Sequence, residues 1–165
     1  MAQIQKSNAF TAKAKIYFEK AYRLQQNGKI EEAVQLYKLS IEFNPTPEAH
    51  TFLGWAYSHE GDYAKAIIEC KLAIELDPGY GNPYNDIGAY LIYQGAYDEA
   101  EEWLRKAIAA PRYQSRQYAH FNLGWVLERR GCWIEAIEEY SKAMKVDPKY
   151  SLASVAKLNL QARMN

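Results

Sequence analysis

The stretch that decides the fold runs from Pro47 to Tyr80 and reads PEAHTFLGWAYSHEGDYAKAIIECKLAIELDPGY. Its pattern recurs on both sides of this stretch. A glycine marks the middle of each copy, and the glycines are 33, 34 and 36 residues apart: Gly28, Gly61, Gly95 and Gly131. A period of this size is typical of proteins built from stacked supersecondary units.

Further positions keep nearly fixed offsets from each glycine. An apolar residue followed by glycine comes before it in three copies, and an alanine, a small residue and a proline follow it in all four. The upstream pairs are Leu53-Gly54, Ile87-Gly88 and Leu123-Gly124; the alanines are Ala33, Ala66, Ala100 and Ala136; the small residues are Ser40, Ala73, Ala107 and Ala143; the prolines are Pro45, Pro78, Pro111 and Pro148.

On these residues the chain resembles the tetratricopeptide repeat family, whose unit is a helix–turn–helix of about 34 residues. The resemblance implies an all-α, right-handed solenoid that forms a single domain over residues 1–165. It implies four repeats and a capping helix, at 14–46, 47–80, 81–116, 117–150 and 151–163. It also implies a non-catalytic scaffold or adaptor that binds an extended or helical segment of a partner protein.

Proline, glycine and capping residues predict where helices begin and end. We expect a frayed N-terminal extension, then a first helix from about Thr11 to Gln26, capped by Ser7 or Thr11. The second helix should run from Ile30 to Phe43, and the second helix of the third repeat from Tyr97 to Ala109.

Two further expectations concern the C-terminal half. The two extra residues before the fourth repeat should interrupt the regular stacking there. A last helix, from Ser151 to about Arg163, should cover the open end of the fourth repeat with four apolar side chains: Leu152, Val155, Ala156 and Leu160.

The charge balance and the hydropathy of the sequence disfavour several classes of function. Lys plus Arg equals Asp plus Glu, at 20 each, so a large counterion-release contribution to nucleic-acid binding has no obvious source. No apolar run approaches the roughly 20 residues that span a bilayer, and the N-terminus lacks the apolar core of a signal peptide. We therefore expect a cytoplasmic protein without membrane insertion, in which Cys70 and Cys132 are free thiols.

Catalytic, cofactor and metal sites are not expected. His50 and His120 occupy equivalent positions in two repeats, which indicates repeat packing rather than metal ligation. His59-Glu60 is not followed by a histidine at the spacing of a helical zinc site, and no glycine-rich phosphate loop is present.

The aromatic residues in the first helix of each repeat suggest a binding face. A helix turns about 100° per residue, so Trp55 should point nearly opposite to Tyr57, which faces the repeat interior. In the proteins that the chain resembles, this second face lines a concave groove, and His59 and Arg129 are candidates to orient a ligand carboxylate or carbonyl. The alternative is that the aromatic side chains pack against each other. The groove residues predicted here are Phe18, Tyr22, Trp55, His59, Tyr93, Phe121, Trp125 and Arg129.

More specific versions of this function can be compared with the sequence. A carboxylate clamp, which some members of the family use, needs cations where this chain has residues such as Trp55, Asp86 and Asn122, and it is therefore excluded. The segments 107–113 and 119–124 are similar to those of type IV pilus biogenesis lipoproteins. The alternatives left open are a pilus or secretion-type accessory chaperone and a self-associating assembly factor, a homo-oligomer formed through the N-terminal extension or the segment 152–164.

Overall fold

A computed structural model describes residues 2–164, with side chains from Asn8 onward. Over this range the chain forms nine α-helices and no sheet, as predicted. The helices divide between two compact units, one up to Pro78 with α1–α4 (unit 1) and one from Gly79 with α5–α9 (unit 2). The bounds are α1 Ala2–Gln26, α2 Ile30–Phe43, α3 Pro47–His59, α4 Tyr63–Leu76, α5 Asn82–Tyr93, α6 Tyr97–Ala109, α7 Arg116–Arg129, α8 Trp133–Val146 and α9 Ser151–Met164.

The single domain over residues 1–165 and the exact repeat limits stay predictions. Within unit 1, α1 packs on α2 and α3 on α4; within unit 2, α5 packs on α6 and α7 on α8. The bounds of α2 and α6 agree with the predicted ones.

The four periodic glycines turn the chain between the paired helices. Their φ values lie between 75° and 80°, in the left-handed region that glycine enters without steric cost. At Gly61, for example, its N–H donates to the carbonyl of Ser58 at 3.0 Å, and the N–H of Asp62 donates to that of Tyr57 at 3.0 Å. These bonds satisfy carbonyls that the end of a helix leaves unpaired.

Small residues let the paired helices approach closely. A Cβ on Gly54 would lie 2.9 Å from the carbonyl oxygen of Ala66, and one on Gly88 would lie 2.6 Å from Cγ of Leu104. Ala66 itself is completely buried. The predicted role of Gly54 in the close approach of the two helices is confirmed.

In two of the helix pairs, a histidine of the first helix contacts a glutamate of the second helix. Nδ1 of His50 lies 2.7 Å from a carboxylate oxygen of Glu69 in unit 1, and Nδ1 of His120 lies 2.7 Å from Glu139 in unit 2. Lys142 donates to the other oxygen of Glu139 at 2.6 Å. The predicted packing role of both histidines is confirmed.

The N-terminal helix is longer than predicted. It begins at Ala2 rather than Thr11, so Thr11 lies inside the helix and does not cap it, while the side chain of Ser7 is outside the described residues. The ring of Phe10 lies 5.8 Å from that of Phe43 in α2, and Tyr17 stacks on Phe43 at 5.6 Å. Packing against α2 therefore supports a part of the helix that local sequence signals do not predict.

The segment between α6 and α7, which contains the two extra residues before the fourth repeat, is an ordered loop. The backbone of Arg112 pairs with that of residues 79 and 81, through N–H to carbonyl distances of 2.9 and 3.1 Å. Tyr113 is buried, and the guanidinium of Arg116 donates to the carbonyls of Ile108, Ala110 and Tyr113. Because α7 packs on both α5 and α6, the expected interruption of stacking was wrong.

The last helix covers α8 with only part of the predicted set, since Leu160 is buried as expected and Ala156 is half-buried. Ala153 and Leu160 are buried, whereas Leu152 and Val155 are 57% and 54% exposed. Seven residues bring the helix back to nearly the same direction, so Ala153 and Leu160 share a face that Leu152 and Val155 do not. Arg163 forms an ion pair with Glu128 of α7 beside this interface.

We expect Gly88→Ala to lower the free energy of unfolding by about 1–3 kcal/mol, because the new methyl group overpacks Leu104. Leu104→Ala alone should cost about 2–5 kcal/mol, since it leaves a cavity. The double variant should be less destabilised than the sum of the two, because each change relieves the other. Denaturant unfolding followed by circular dichroism measures all three, and strict additivity would contradict the close contact.

Glu139 should make unit 2 sensitive to acid. Burial raises the pKa of this carboxyl, but hydrogen bonds from His120 and Lys142 outweigh it and hold the pKa below its ordinary value of 4.5. When folding lowers the pKa of a carboxyl, that group stabilises the native state at any pH above its pKa in the unfolded chain. The stabilisation is lost as the pH falls through the lower pKa of the folded state. Glu139→Gln should therefore lose less of its free energy of unfolding than wild type does as the pH falls below about 4.5. Glu138→Gln, at an exposed neighbouring site, should behave as wild type. Equal dependence of the free energy of unfolding on pH in the two variants would refute the assignment.

Candidate protein-binding site

Two of the predicted groove residues in unit 1 belong to a cluster of aromatic rings. Phe18 and Tyr22 of α1 both meet the ring of Phe52 edge-on, at centroid distances of 5.3 and 5.5 Å. Below them Tyr37 is completely buried, and its hydroxyl donates to the side-chain oxygen of Gln25 at 2.7 Å. Phe18 is half-buried and Tyr22 exposed, so the cluster packs on itself and still presents one ring to solvent.

Trp55 and His59 form a separate pair on α3. The rings are one helical turn apart, with centroids 3.8 Å from each other; Trp55 is half-buried and His59 is exposed. Among the described side chains, no ring contact joins this pair to the cluster formed by Phe18, Tyr22 and Phe52. Sequence reasoning did not assign Phe52 to the binding face, although it lies three residues before Trp55 on the same helix.

Unit 2 contains an open depression between α5 and α7, which we call the α5–α7 site. Its volume is about 250 Å³, and three predicted groove residues line it. Tyr93 is 73% exposed, whereas Phe121 and Trp125 are half-buried. The full lining is Ala89, Ile92 and Tyr93 from α5 and Phe121, Asn122 and Trp125 from α7.

Neighbouring side chains hold the two α7 rings in place. Tyr97 meets Trp125 edge-on at 5.6 Å, and the guanidinium of Arg129 lies 4.8 Å from the centroid of the Trp125 ring, within cation–π range. Phe121 packs against Tyr140 at 5.7 Å. The predicted residue Arg129 therefore lies at the edge of the site, where Trp125 orients it.

A chain of polar side chains connects α7 to α5 at the site. Nδ2 of Asn122 donates to Oδ1 of Asn85 at 3.1 Å, and Nδ2 of Asn85 lies 3.4 Å from Oδ1 of Asp86. Burial raises the pKa of Asp86 from 3.8 to about 7, and the hydrogen bond from Asn85 opposes this rise only in part. The sequence analysis named Asp86 and Asn122 only as residues that do not fit a carboxylate clamp. It did not assign them to a site.

Other kinds of site find no support in the part of the chain that the structure describes. Its His, Cys, Asp and Glu side chains form no group that could hold a metal ion, and none of its helices is long and apolar enough to cross a membrane. Both cysteines, Cys70 and Cys132, are free thiols, as predicted.

Comparisons with protein families identify the repeats. Profiles described as "Tetratricopeptide repeat" match residues 14–47, 47–80, 84–110 and 117–150. Together these matches cover well over half of the chain.

Individual relatives match parts of the chain. The small glutamine-rich tetratricopeptide repeat-containing protein 2 of Mycosarcoma maydis is 34% identical over 77 residues, 46% of this chain and 22% of that protein. The type IV pilus assembly protein PilF of Pseudomonas aeruginosa is 26% identical over 123 residues, 74% of this chain and 49% of that protein. The chain thus spans half or less of the length of these relatives, and the predicted similarity to a type IV pilus protein is confirmed.

Solved structures share the fold. The structure of Pseudomonas aeruginosa PilF superposes with a TM-score of 0.88 at 22% identity, covering 94% of this chain and 71% of that one. The first tetratricopeptide repeat domain of Spaghetti (RPAP3), bound to the HSP90 peptide SRMEEVD, superposes with a TM-score of 0.68 at 23% identity, covering 73% of this chain and 98% of that one. At these identities the likeness concerns the fold alone.

The turn glycines, the close helix pairs and the matching family profiles all lead to one conclusion: the chain belongs to the tetratricopeptide repeat family.

Proposed function

We propose that this chain is a non-catalytic scaffold that binds a segment of a partner protein, and that the α5–α7 site is its main contact surface. The observation that carries this proposal is the exposure of Tyr93 beside Phe121 and Trp125. The packing of the repeats does not require an aromatic side chain in water, and contiguous exposed apolar surface often marks an interaction site.

Aromatic residues suit this function energetically. Covering a tyrosine or tryptophan removes up to about 150–250 Å² from water, which corresponds to about 4–6 kcal/mol at about 25 cal/mol per Å². Loss of translational, rotational and side-chain freedom offsets much of this gain. Trp125 is already held by Tyr97 and Arg129, so it loses little further freedom when a ligand covers it.

Peptide binding by a protein of the same fold supports the general type of function. The RPAP3 domain is bound to the peptide SRMEEVD, which contains acidic residues. At the corresponding clamp positions this chain has no cation, so we propose a partner of different chemistry that binds mainly through apolar burial. Such binding should change little with salt, and the zero net charge supports a protein rather than a nucleic acid as the partner. The cytoplasmic location stays a prediction.

A second candidate function is accessory assembly of a pilus or secretion apparatus. The similarity to PilF, over 74% of this chain, favours it. In this case the captured partner would be an assembly component of such an apparatus. Self-association, with a chaperone-like or scaffolding role, is the remaining alternative and would appear as a mass that increases with protein concentration.

We expect Trp125→Ala to abolish partner capture from a lysate of the source organism, because it removes the largest side chain of the α5–α7 site. Trp133→Ala is the matched control: Trp133 is 41% exposed at the start of α8 and does not line the site. Trp55→Ala shows whether unit 1 contributes as well. Affinity capture with mass spectrometry, on variants that circular dichroism shows to be helical, measures the effect.

Three results would contradict the proposal in different ways. Capture of the same partners by wild type and Trp125→Ala would place binding elsewhere on the chain. Loss of capture in Trp133→Ala alone would place it on α8. Capture of nothing but the protein itself would favour self-association.

A further inference from the structure

Asp86 lies beside the α5–α7 site. It precedes Ala89 by three residues and Tyr93 by seven on the same helix, and residues with these spacings share a face. Its neighbour Asn85 is bonded to Asn122, which lines the site. Asp86 does not itself line the depression, but part of the residue remains accessible to solvent beside it.

The Asp86 carboxylate has no cation within ion-pair distance among the residues that the structure describes. Its one hydrogen bond comes from the uncharged amide of Asn85. Three other shielded carboxylates of unit 2 differ, since each contacts a basic side chain. These pairs are Glu101 with Arg105 and Arg130, Glu128 with Arg163, and Glu139 with His120 and Lys142.

A carboxylate withdrawn from water without a cation is destabilised in its charged form. The pKa of about 7 reflects this cost, with burial as its main cause. The phenol of Tyr113 lies within its electrostatic range and adds no positive charge. An ammonium or guanidinium group from a ligand would restore the missing partner with a charge-assisted hydrogen bond.

We infer that the α5–α7 site binds a segment with a lysine or arginine next to an apolar or aromatic residue, and that Asp86 recognises the basic side chain. The inference rests on the proposed function and names the chemistry of the partner. It is the reverse of a carboxylate clamp, because the site supplies the anion and the ligand supplies the cation.

The geometry also sets the spacing in the ligand. Seven residues of helix separate Asp86 from Tyr93, which is roughly 10 Å along α5. An extended peptide covers that distance in about three residues. The basic residue should therefore lie about three positions from the residue that contacts Tyr93.

A phage-displayed library of random linear peptides, selected on the full chain, tests this inference. Wild type should enrich Lys or Arg at one fixed position, about three residues from an aromatic or aliphatic anchor. Asp86→Asn should lose this enrichment and bind the selected peptides at least about tenfold more weakly by fluorescence anisotropy, since a hydrogen bond to a charged group is lost. Glu102→Gln, which makes the same chemical change at an exposed site on α6, should behave as wild type.

The outcomes separate this inference from the proposed function. Peptides selected without a basic preference, or with the same preference on Asp86→Asn, would overturn the inference and leave the α5–α7 site as a binding surface. No enrichment of any peptide on wild type would overturn both. Asp86→Asn removes a charge that is shielded from water, so it should remain folded, and a thermal melt by circular dichroism verifies this.

Discussion

The structure depends on the close approach of the two helices in each pair. That approach is possible only where side chains are small, as at Gly54, where even a methyl group would collide with the backbone of Ala66. At Gly124 the ring of Tyr140 fills the space that a side chain would take. Tyr140 in unit 2 and Tyr37 in unit 1 are both completely buried, and their hydroxyls are hydrogen-bonded.

The same constraint explains why aromatic side chains accumulate on the opposite face of the first helices. At Gly88 and Gly124 the side chains of Leu104 and Tyr140 from the paired helix already occupy this space, so residues such as Trp125 lie beside the crossing. On α5 and α7 they border a depression rather than fill it, and Tyr93 stays in water. The bond between Asn85 and Asn122 links the two helices of this site, and the amide of Asn85 also lies 3.4 Å from the carboxylate of Asp86. Fold and candidate site thus have one physical origin.

Much of this architecture can be predicted from the sequence because it is encoded locally. A glycine at each turn, with φ near +75°, fixes the period, and the bounds of α2 and α6 follow from it. The start of α1 could not be predicted in this way, because the segment before Thr11 is supported by the distant ring of Phe43. The covering face of α9 was predicted only in part, right for Leu160 and wrong for Leu152 and Val155, since helical periodicity shows which residues share a face but not which face meets α8.

The candidate site shows the same limit. Rotation along a helix predicts that Tyr93, Phe121 and Trp125 lie on one face of their helices, but it cannot say that they line one depression. Asp86 was overlooked because its significance lies in a missing partner, and only the arrangement of neighbouring side chains reveals that.

The most direct measurement of the central claim is photo-crosslinking in cells of the source organism, with benzoylphenylalanine at position 93. Position 134 on α8 is the control, because Ile134 is 66% exposed and lies outside the α5–α7 site. We predict that position 93 crosslinks to a partner protein and that position 134 does not. A partner crosslinked from position 134 and not from position 93 would contradict the claim that the α5–α7 site binds the partner.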